Sequence, residues 1–501
     1  MELEERKEKE NVIFKINNST YIEELNESNL SLRGKKITKL LKTKRRNIIE
    51  QTKSSLNIIE KAQQFQIYKF STTYNKIITY LKSSDDNKVR YILNQLNIYF
   101  KYNEPDLKEQ QMIIEGQFFE LLLYLGINFL NNKNQDNLIQ IIWIFINIQI
   151  YNEGNGKYLM SLYDDKFLEF YDECFNQYNS DEIMNEIIYL LYYTIKINSE
   201  IKYKIIQSKV FESIINIALN ERQDLDLTEN IIKLIVVCLN IQKNYKLNEK
   251  EINMINKCYT ILKIEITNNN DQIQKLSYEG LYNLSKLNDE YHFNHKMIKE
   301  GIPEIITKVI KRNILEYSLK VLVNILTLSE NLENINLNNV IQYFDVIINL
   351  YNEDNSFVYI ILKGIFNIVD SKYINLVKSC IIWNKEMIQK IFNKNENIQL
   401  LFIKIIKYII NIGDYKSIIF IYNTKVLEYL IYLISNSNQE QKLVIKVLKL
   451  IDNYLSRFNN NKKEEFEYLV IYNKFKDCIN LFSDIINEDN DFLEYIKYNY
   501  K

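Results

Sequence analysis

An apolar phrase that ends in Asn recurs at even spacing through most of this chain of 501 residues. Its clear copies end at Asn147, Asn240, Asn283, Asn324, Asn367 and Asn411, with a degenerate copy at Thr194 and a weaker one at Asn453. Successive copies lie 41 to 47 residues apart. A period of this length is typical of stacked repeat units that bury their apolar faces against their neighbours. The spacing predicts an elongated array, because a single hydrophobic core stops growing near ~250–300 residues.

The scarcity of turn residues indicates that the repeats are helical. The chain has 2 prolines and 9 glycines, whereas strand-rich folds need turn residues every ~8–12 positions. From about Gln66 onward, apolar residues recur at the i, i+3, i+4 and i+7 positions of helices, interrupted by short polar tracts. Gly301 and Pro303 open one such helix, where the missing N–H of proline is not needed. We therefore expect an all-α fold.

Several classes of function are not supported by the sequence. No Gly-rich phosphate loop occurs, and the chain has only 2 histidines, His292 and His295, so no catalytic residues and no cofactor are predicted. The five cysteines are far apart, which favours buried thiols over a zinc site, and no metal site is predicted. A net charge of −1 gives no chain-wide bias toward nucleic acid. No uncharged apolar stretch reaches the ~18 residues of a membrane span, and no secretory signal precedes the array.

The recurring phrases resemble the armadillo repeats of the importin-α family, whose repeats carry Trp-x-x-x-Asn. Trp143 and Asn147 match this pattern fully, and the resemblance extends from about Lys42 to Arg457. It implies a right-handed superhelical solenoid in which Asn side chains hold the backbone of an extended peptide and Trp rings hold Lys stems by cation–π attraction. The cargo-peptide residues that the resemblance implies are Trp143, Asn147, Asn240, Asn283, Asn324, Asn367 and Asn411.

A basic segment before the array resembles the second half of an importin-β-binding arm. Residues 30–47 contain no acid and run Leu-Arg, a Lys-rich stretch, Leu, then Lys-Arg-Arg-Asn. The resemblance implies that the arm binds importin-β and, when free, occupies the groove in place of cargo. Its basic residues are Arg33, Lys35, Lys36, Lys39, Lys42, Lys44, Arg45 and Arg46. Read without the family, the same run is also compatible with a nucleic-acid contact, a membrane surface or a nuclear-localisation signal.

The chain departs from the family pattern in two places. The upstream half of the arm is acidic instead of Arg-rich, and the other expected Trp positions hold Leu190, Val236, Glu279, Lys320, Lys363 and Lys407. Lys320, Lys363 and Lys407, together with Lys449, occupy corresponding positions of successive repeats. These lysines either lie on a solvated helix face or form a basic stripe that repels Lys-rich signals and accepts an acidic peptide.

The sequence therefore predicts a basic arm over residues 1–60, about nine to ten repeats over 61–490, and a C-terminal tail over 491–501. The resemblance implies a non-enzymatic nuclear import adaptor that shuttles between cytoplasm and nucleus. Its expected partners are importin-β, cargo proteins with nuclear-localisation signals, nucleoporins and an export receptor, with no direct contact to nucleic acid or membrane. The alternative is an armadillo scaffold for cytoskeletal or signalling assemblies.

Overall fold

A computed structural model gives the structure of residues 67, 69–103, 105–150, 165–177, 181–197, 200–220, 225–242, 245–287, 291–327, 329–369, 372–412, 415–436, 441–459, 472, 473 and 476. All helices in these ranges from residue 70 to residue 459 belong to one unit that begins at Lys69. The arm over residues 1–60, with all eight of its named basic residues, lies outside the described residues, as does the predicted tail.

The described ranges between residues 70 and 459 form 23 α-helices. In chain order, α1 to α12 are Phe70–Leu81, Asp86–Tyr102, Leu107–Glu115, Phe118–Asn131, Gln135–Ile150, Asp165–Gln177, Asp181–Ile197, Ile201–Gln207, Lys209–Asn220, Leu225–Leu239, Glu249–Glu265 and Asp271–Ser285. Helices α13 to α23 are Phe293–Lys299, Ile302–Ile306, Arg312–Ile325, Leu337–Leu350, Asn355–Ile368, Ile374–Lys378, Lys385–Phe392, Glu396–Ile412, Tyr415–Asn423, Val426–Asn436 and Gln441–Asn459. Short 3-10 helices cover Ser329–Asn334 and Ile381–Trp383.

Nine of these helices stack in chain order, and the last eight of them carry the recurring phrases. This main row consists of α2, α5, α7, α10, α12, α15, α17, α20 and α23, and each member contacts the next. The helix before each main-row member packs against it from behind; this back row consists of α1, α4, α6, α9, α11, α14, α16, α19 and α22. Short helices such as α3, α8 and α13 connect one pair to the next. The all-α repeat array predicted from the sequence is confirmed.

Asp and Asn side chains start many of the helices. The Asn270 side chain accepts hydrogen bonds from the backbone N–H groups of Gln272 and Ile273, at 2.9 and 3.3 Å. Asn248 and Glu251 form a reciprocal capping box at the start of α11. These caps satisfy N–H groups that have no partner within the helix. Asn side chains thus give several helices a defined start in a chain that has few prolines and glycines.

Glycine allows two back-row helices to approach the main row closely. A Cβ added to Gly364 on α17 would lie 2.6 Å from the Phe344 ring, and one added to Gly280 on α12 would lie 2.7 Å from a Leu262 methyl group. Both glycines stand three positions before the Asn of their phrase. Close packing between the two rows therefore requires a glycine at this position of these two repeats.

The described ranges contain four of the cysteines and both histidines. Four thiols are buried, as expected from the sequence: Cys174, Cys238, Cys258 and Cys380. His292 ends the connection before α13 with a left-handed φ of 53°, and no group of three or more potential metal ligands occurs within the described ranges. No single helix in the same ranges is long and apolar enough to cross a membrane, although the bent pair Leu107–Ile113 and Phe118–Asn131 meets that test by length and composition.

Candidate functional site

The predicted asparagines reach backward along the main row. Asn147 donates its side-chain amide to the Asn97 side chain at 3.4 Å. Asn283 donates to the Val236 carbonyl at 3.2 Å, and Asn324 to the Ser285 hydroxyl at 2.9 Å. Further along, Asn367 donates to the Val323 carbonyl at 3.0 Å and Asn453 to the Asn411 side chain. These five contacts, here called the asparagine ladder, each join a main-row helix to its predecessor.

Two rungs of the ladder satisfy helix ends. Val236 and Val323 belong to the last four residues of α10 and α15, whose carbonyls have no N–H donor within their own helix. Both residues are buried, at 7% and 2% exposure. Because an unpaired buried carbonyl costs about 1–3 kcal/mol, Asn283 and Asn367 stabilise the array. The even spacing of Asn therefore has a structural cause.

The predicted asparagines differ in how far a ligand can reach them. Asn147 and Asn367 are buried, at 6% and 5% exposure. Asn283, Asn324 and Asn411 are partly exposed. Asn283 and Asn324 each use one of two N–H donors in the ladder, and Asn411 takes part through its side-chain oxygen, so an N–H remains for a ligand at all three positions. Asn240 is exposed just after α10 ends, and its carbonyl accepts a hydrogen bond from Lys202. The peptide-clamp role stays a prediction for all six.

The only full Trp-x-x-x-Asn match lies deeper than its predicted role implies. Trp143 on α5 is 6% exposed, and its indole N–H is buried without a hydrogen-bond partner among the described residues. Its ring therefore presents little surface to a lysine stem in this structure. At the degenerate copy on α7, Thr194 donates its hydroxyl to the Leu190 carbonyl of its own helix at 2.7 Å. The predicted Lys-binding slot at Trp143 stays a prediction.

Lysine and tyrosine side chains meet farther along the main row. Tyr282 and Tyr317, on adjacent helices, have ring centroids 6.1 Å apart. The Lys286 ammonium lies 3.9 Å from the Tyr282 centroid, and the Lys320 ammonium lies 5.5 and 5.3 Å from the Tyr282 and Tyr317 centroids. We call these four residues the Lys–Tyr cluster. Lys320 also pairs with Glu316 at 2.7 Å, one turn back on the same helix.

Burial and, after it, the Lys320 charge lower the pKa of lysines on the two neighbouring repeats. Desolvation and, second, the Lys320 charge lower the pKa of Lys286 to about 8, although Glu279 opposes the shift. The same two causes lower the pKa of Lys363 on α17. Burial and the Glu316 charge raise the pKa of Tyr282 to about 12, so the ring stays neutral. The Lys320 charge therefore acts on both Lys286 and Lys363, while Glu316 and Glu279 are the acids that offset the charges of the cluster.

The rest of the predicted stripe continues the row. Lys363 is partly exposed, and Lys407 on α20 and Lys449 on α23 are exposed. Helix α17 contains no acid, and α20 contains only Glu396, at its first position. Sequence reasoning missed Lys286, Tyr282 and Tyr317. Tyr282 lies within a phrase, directly before Asn283, whereas Lys286 follows Asn283 by three positions and Tyr317 precedes Lys320 by three.

Comparison with known proteins identifies the fold. No protein-family model and no curated protein matches the sequence. An engineered protein of known structure aligns with 84% of this chain and 98% of its own at a TM-score of 0.62 and 14% identity. The fold is an armadillo-repeat solenoid. A structure described as concerning a phosphorylation switch in the cadherin–beta-catenin interaction covers 81% of this chain and 94% of its own, at a TM-score of 0.51 and 11% identity.

The comparisons bear on the fold alone. At identities of 11% and 14%, the two alignments show a shared armadillo architecture and no shared ligand. A designed armadillo repeat protein in complex with the peptide (KR)4 covers 50% of this chain and 98% of its own, but its TM-score of 0.41 is too low to bear on this chain's ligand. The predicted armadillo fold is confirmed, whereas membership of the importin-α family stays a prediction.

Proposed function

We propose that this armadillo solenoid is a non-catalytic protein-binding scaffold that holds an extended segment of a partner protein along its main row. The observation that carries the proposal is the alignment of partly exposed amides across stacked helices. Asn283, Asn324 and Asn411 occupy equivalent positions, and each combines a structural contact with remaining solvent access. Backbone groups of an extended peptide need such donors, because they are not paired within the peptide itself.

A peptide array tests this proposal. Full-length protein is applied to extended peptides of acidic, basic and neutral composition, and the strongest binders are measured again in solution. We expect the triple variant Asn283→Ala, Asn324→Ala, Asn411→Ala to lose at least about tenfold in affinity, since each lost hydrogen bond contributes roughly 0.5–1.5 kcal/mol.

A matched control changes three exposed asparagines on the back-row helix α16, Asn338→Ala, Asn339→Ala and Asn349→Ala. These changes should leave affinity unaltered. If no peptide binds, or if both triple variants lose affinity equally, the proposed binding surface is wrong.

A finer proposal is that the scaffold is a nuclear import adaptor. It is supported by the arm sequence from Leu32 to Asn47, with its Leu-Arg and Lys-Arg-Arg-Asn elements placed before the array. On this proposal the arm recruits importin-β, the main row holds cargo, nucleoporins and an export receptor are further partners, and the protein shuttles between cytoplasm and nucleus. Catalysis has no part in it.

Importin-β from the same cells provides the test. Binding of the full-length protein should be lost when residues 1–50 are removed, while circular dichroism of the array stays unchanged. Failure of the full-length protein to bind would reject the adaptor and leave a scaffold for cytoskeletal or signalling assemblies.

A further inference from the structure

We infer that the bound segment is acidic, and that its Asp and Glu side chains lie along the Lys–Tyr cluster and the lysines that follow it on α17 and α20. This inference rests on the proposed function, because it names the chemistry of the segment that the scaffold holds. It begins from geometry: two ammonium groups, from Lys286 and Lys320, share the ring of Tyr282. Carboxylates of a ligand that lie beside this ring can therefore pair with these ammonium groups.

The charges available on the surface favour an acidic ligand. Glu316 engages Lys320 directly, and Glu279 stands near Lys286. Beyond them, α17 provides Lys363 without any acid of its own, and α20 provides Lys404 and Lys407 with a single acid at its first position. The main-row helices α15, α17 and α20 thus each have a positive net charge. A carboxylate-rich segment relieves the mutual repulsion of these ammonium groups, whereas a Lys-rich segment adds to it.

Tyrosine gives the surface a second property, which distinguishes it from a simple basic patch. Tyr282 and Tyr317 are partly exposed and hold the lysines by cation–π contacts, each contributing about 0.5–2 kcal/mol. The ammonium groups are therefore held in place before a ligand arrives, so less conformational entropy is lost when it binds. The rings also offer apolar area to the stems of Glu side chains.

The row fixes the approximate length of the segment. Main-row helices pack at about 8–10 Å between axes, and an extended chain advances about 3.3–3.6 Å per residue. Each helix is thus covered by roughly two to three ligand residues. The four helices from α12 to α20 accommodate a segment of about ten residues with acids at regular intervals.

Fluorescence anisotropy with a labelled peptide of about ten residues tests the inference. The probes are an alternating Glu-Ser peptide, its Lys-Ser counterpart, a neutral Gln-Ser peptide and single-stranded poly-dT of similar length. We expect the Glu-Ser peptide to bind most tightly, and its affinity to fall as salt increases.

Charge-neutralising variants then locate the site. The triple variant Lys286→Gln, Lys320→Gln, Lys363→Gln should weaken Glu-Ser binding by roughly 10- to 100-fold, from three ion pairs of moderate exposure. Its matched control, Lys250→Gln, Lys385→Gln, Lys390→Gln, removes the same charge from exposed positions on the back-row helices α11 and α19. The control should bind as the unmodified protein does, and thermal unfolding confirms that both variants are folded.

The outcomes separate this inference from the proposed function. Preferred binding of the Lys-Ser or Gln-Ser peptide would overturn the acidic ligand and leave the peptide-binding scaffold standing. Preferred binding of poly-dT would overturn the inference in favour of a nucleic-acid ligand. Equal losses in the two triple variants would show a non-specific charge effect and overturn the assigned site. Absence of binding to every peptide would reject both proposals.

Discussion

The substitution Asn367→Asp tests whether the asparagine ladder holds the solenoid together. Asn and Asp have the same shape, so the change leaves no cavity and alters only the hydrogen-bonding groups. The Asn367 amide donates to the Val323 carbonyl at 3.0 Å, and its own side-chain oxygen is buried without a hydrogen-bond partner among the described residues. An ionised carboxylate at this position places negative charge against a buried carbonyl oxygen.

The loss of folding free energy in this variant is set by whichever of two protonation states of the introduced carboxyl group has the lower free energy. The carboxylate either remains ionised and repels the carbonyl, or takes up a proton and donates it to the Val323 oxygen. Protonating a group of pKa ~3.9 at pH 7 costs about 4 kcal/mol, at about 1.4 kcal/mol per pH unit. The destabilisation at pH 7 is therefore at most about 4 kcal/mol, and a value near 3 kcal/mol is expected for a lost contact with a buried charge.

The sign of the pH dependence follows from the raised pKa of the introduced carboxyl group. Because its folded pKa lies above the unfolded value, the protonated form is favoured by folding. The stability of the variant relative to the unmodified protein therefore recovers as the pH falls from 7 toward 4.

Hydrogen exchange is the suitable assay, because a solenoid does not unfold as one cooperative unit. Protection of α15 and α17 is compared between the variant, the unmodified protein and the control Asn355→Asp, at pH 7 and pH 4. Asn355 is exposed at the first position of the same helix, so its substitution should change stability by less than about 0.5 kcal/mol. Equal protection from hydrogen exchange in the two variants at pH 7 would refute a stabilising role of the asparagine ladder at Asn367.

Four further predictions have defined outcomes. Gly364→Ala forces a methyl group against the Phe344 ring and should destabilise the array by about 1–3 kcal/mol in thermal unfolding, unlike an Ala substitution at an exposed position. The pKa of Lys286 is lowered to about 8, so more of this amine is neutral at pH 8 than in ordinary lysines of pKa ~10.4. A limiting amount of an acylating reagent at pH 8 should therefore label Lys286 faster than other lysines, as measured by mass spectrometry. Equal labelling rates would contradict the lowered pKa. The same shift implies that affinity for an acidic peptide falls between pH 7 and pH 9, and that Lys286→Gln removes part of this dependence. The Glu109 carboxylate accepts hydrogen bonds from the Tyr99 hydroxyl and the Ser71 N–H. Glu109→Ala should therefore increase hydrogen exchange in α1 to α3 more than in the other helices. An equal increase in all helices would contradict this role of Glu109.

The sequence predicted the architecture well because periodicity is a property of the whole chain. Even spacing of the Asn phrases fixed the helix row, and the scarcity of Gly and Pro excluded other fold classes. The same phrases did not reveal which side of the helix the Asn faces. Asn147 and Asn367 are buried against the preceding helix, which depends on crossing geometry that no single repeat encodes.

The candidate site was predicted only in part, for a related reason. Lys320, Lys363 and Lys407 were found because they occupy one register position. Lys286 and Tyr317 occupy other positions of their repeats, and they join the surface only because adjacent helices bring them together. Contacts across helices of different register are set by packing, so a search by period alone does not find them.

The direction of the asparagine ladder has a consequence for how the chain is made. Each described rung runs from a later helix to an earlier one, as from Asn283 to Val236 and from Asn367 to Val323. A ribosome releases the earlier helix first, with its last carbonyls still hydrated. The next repeat then arrives with the donor that replaces that water. Synthesis order and bonding order coincide, so the array can close one repeat at a time behind the emerging chain.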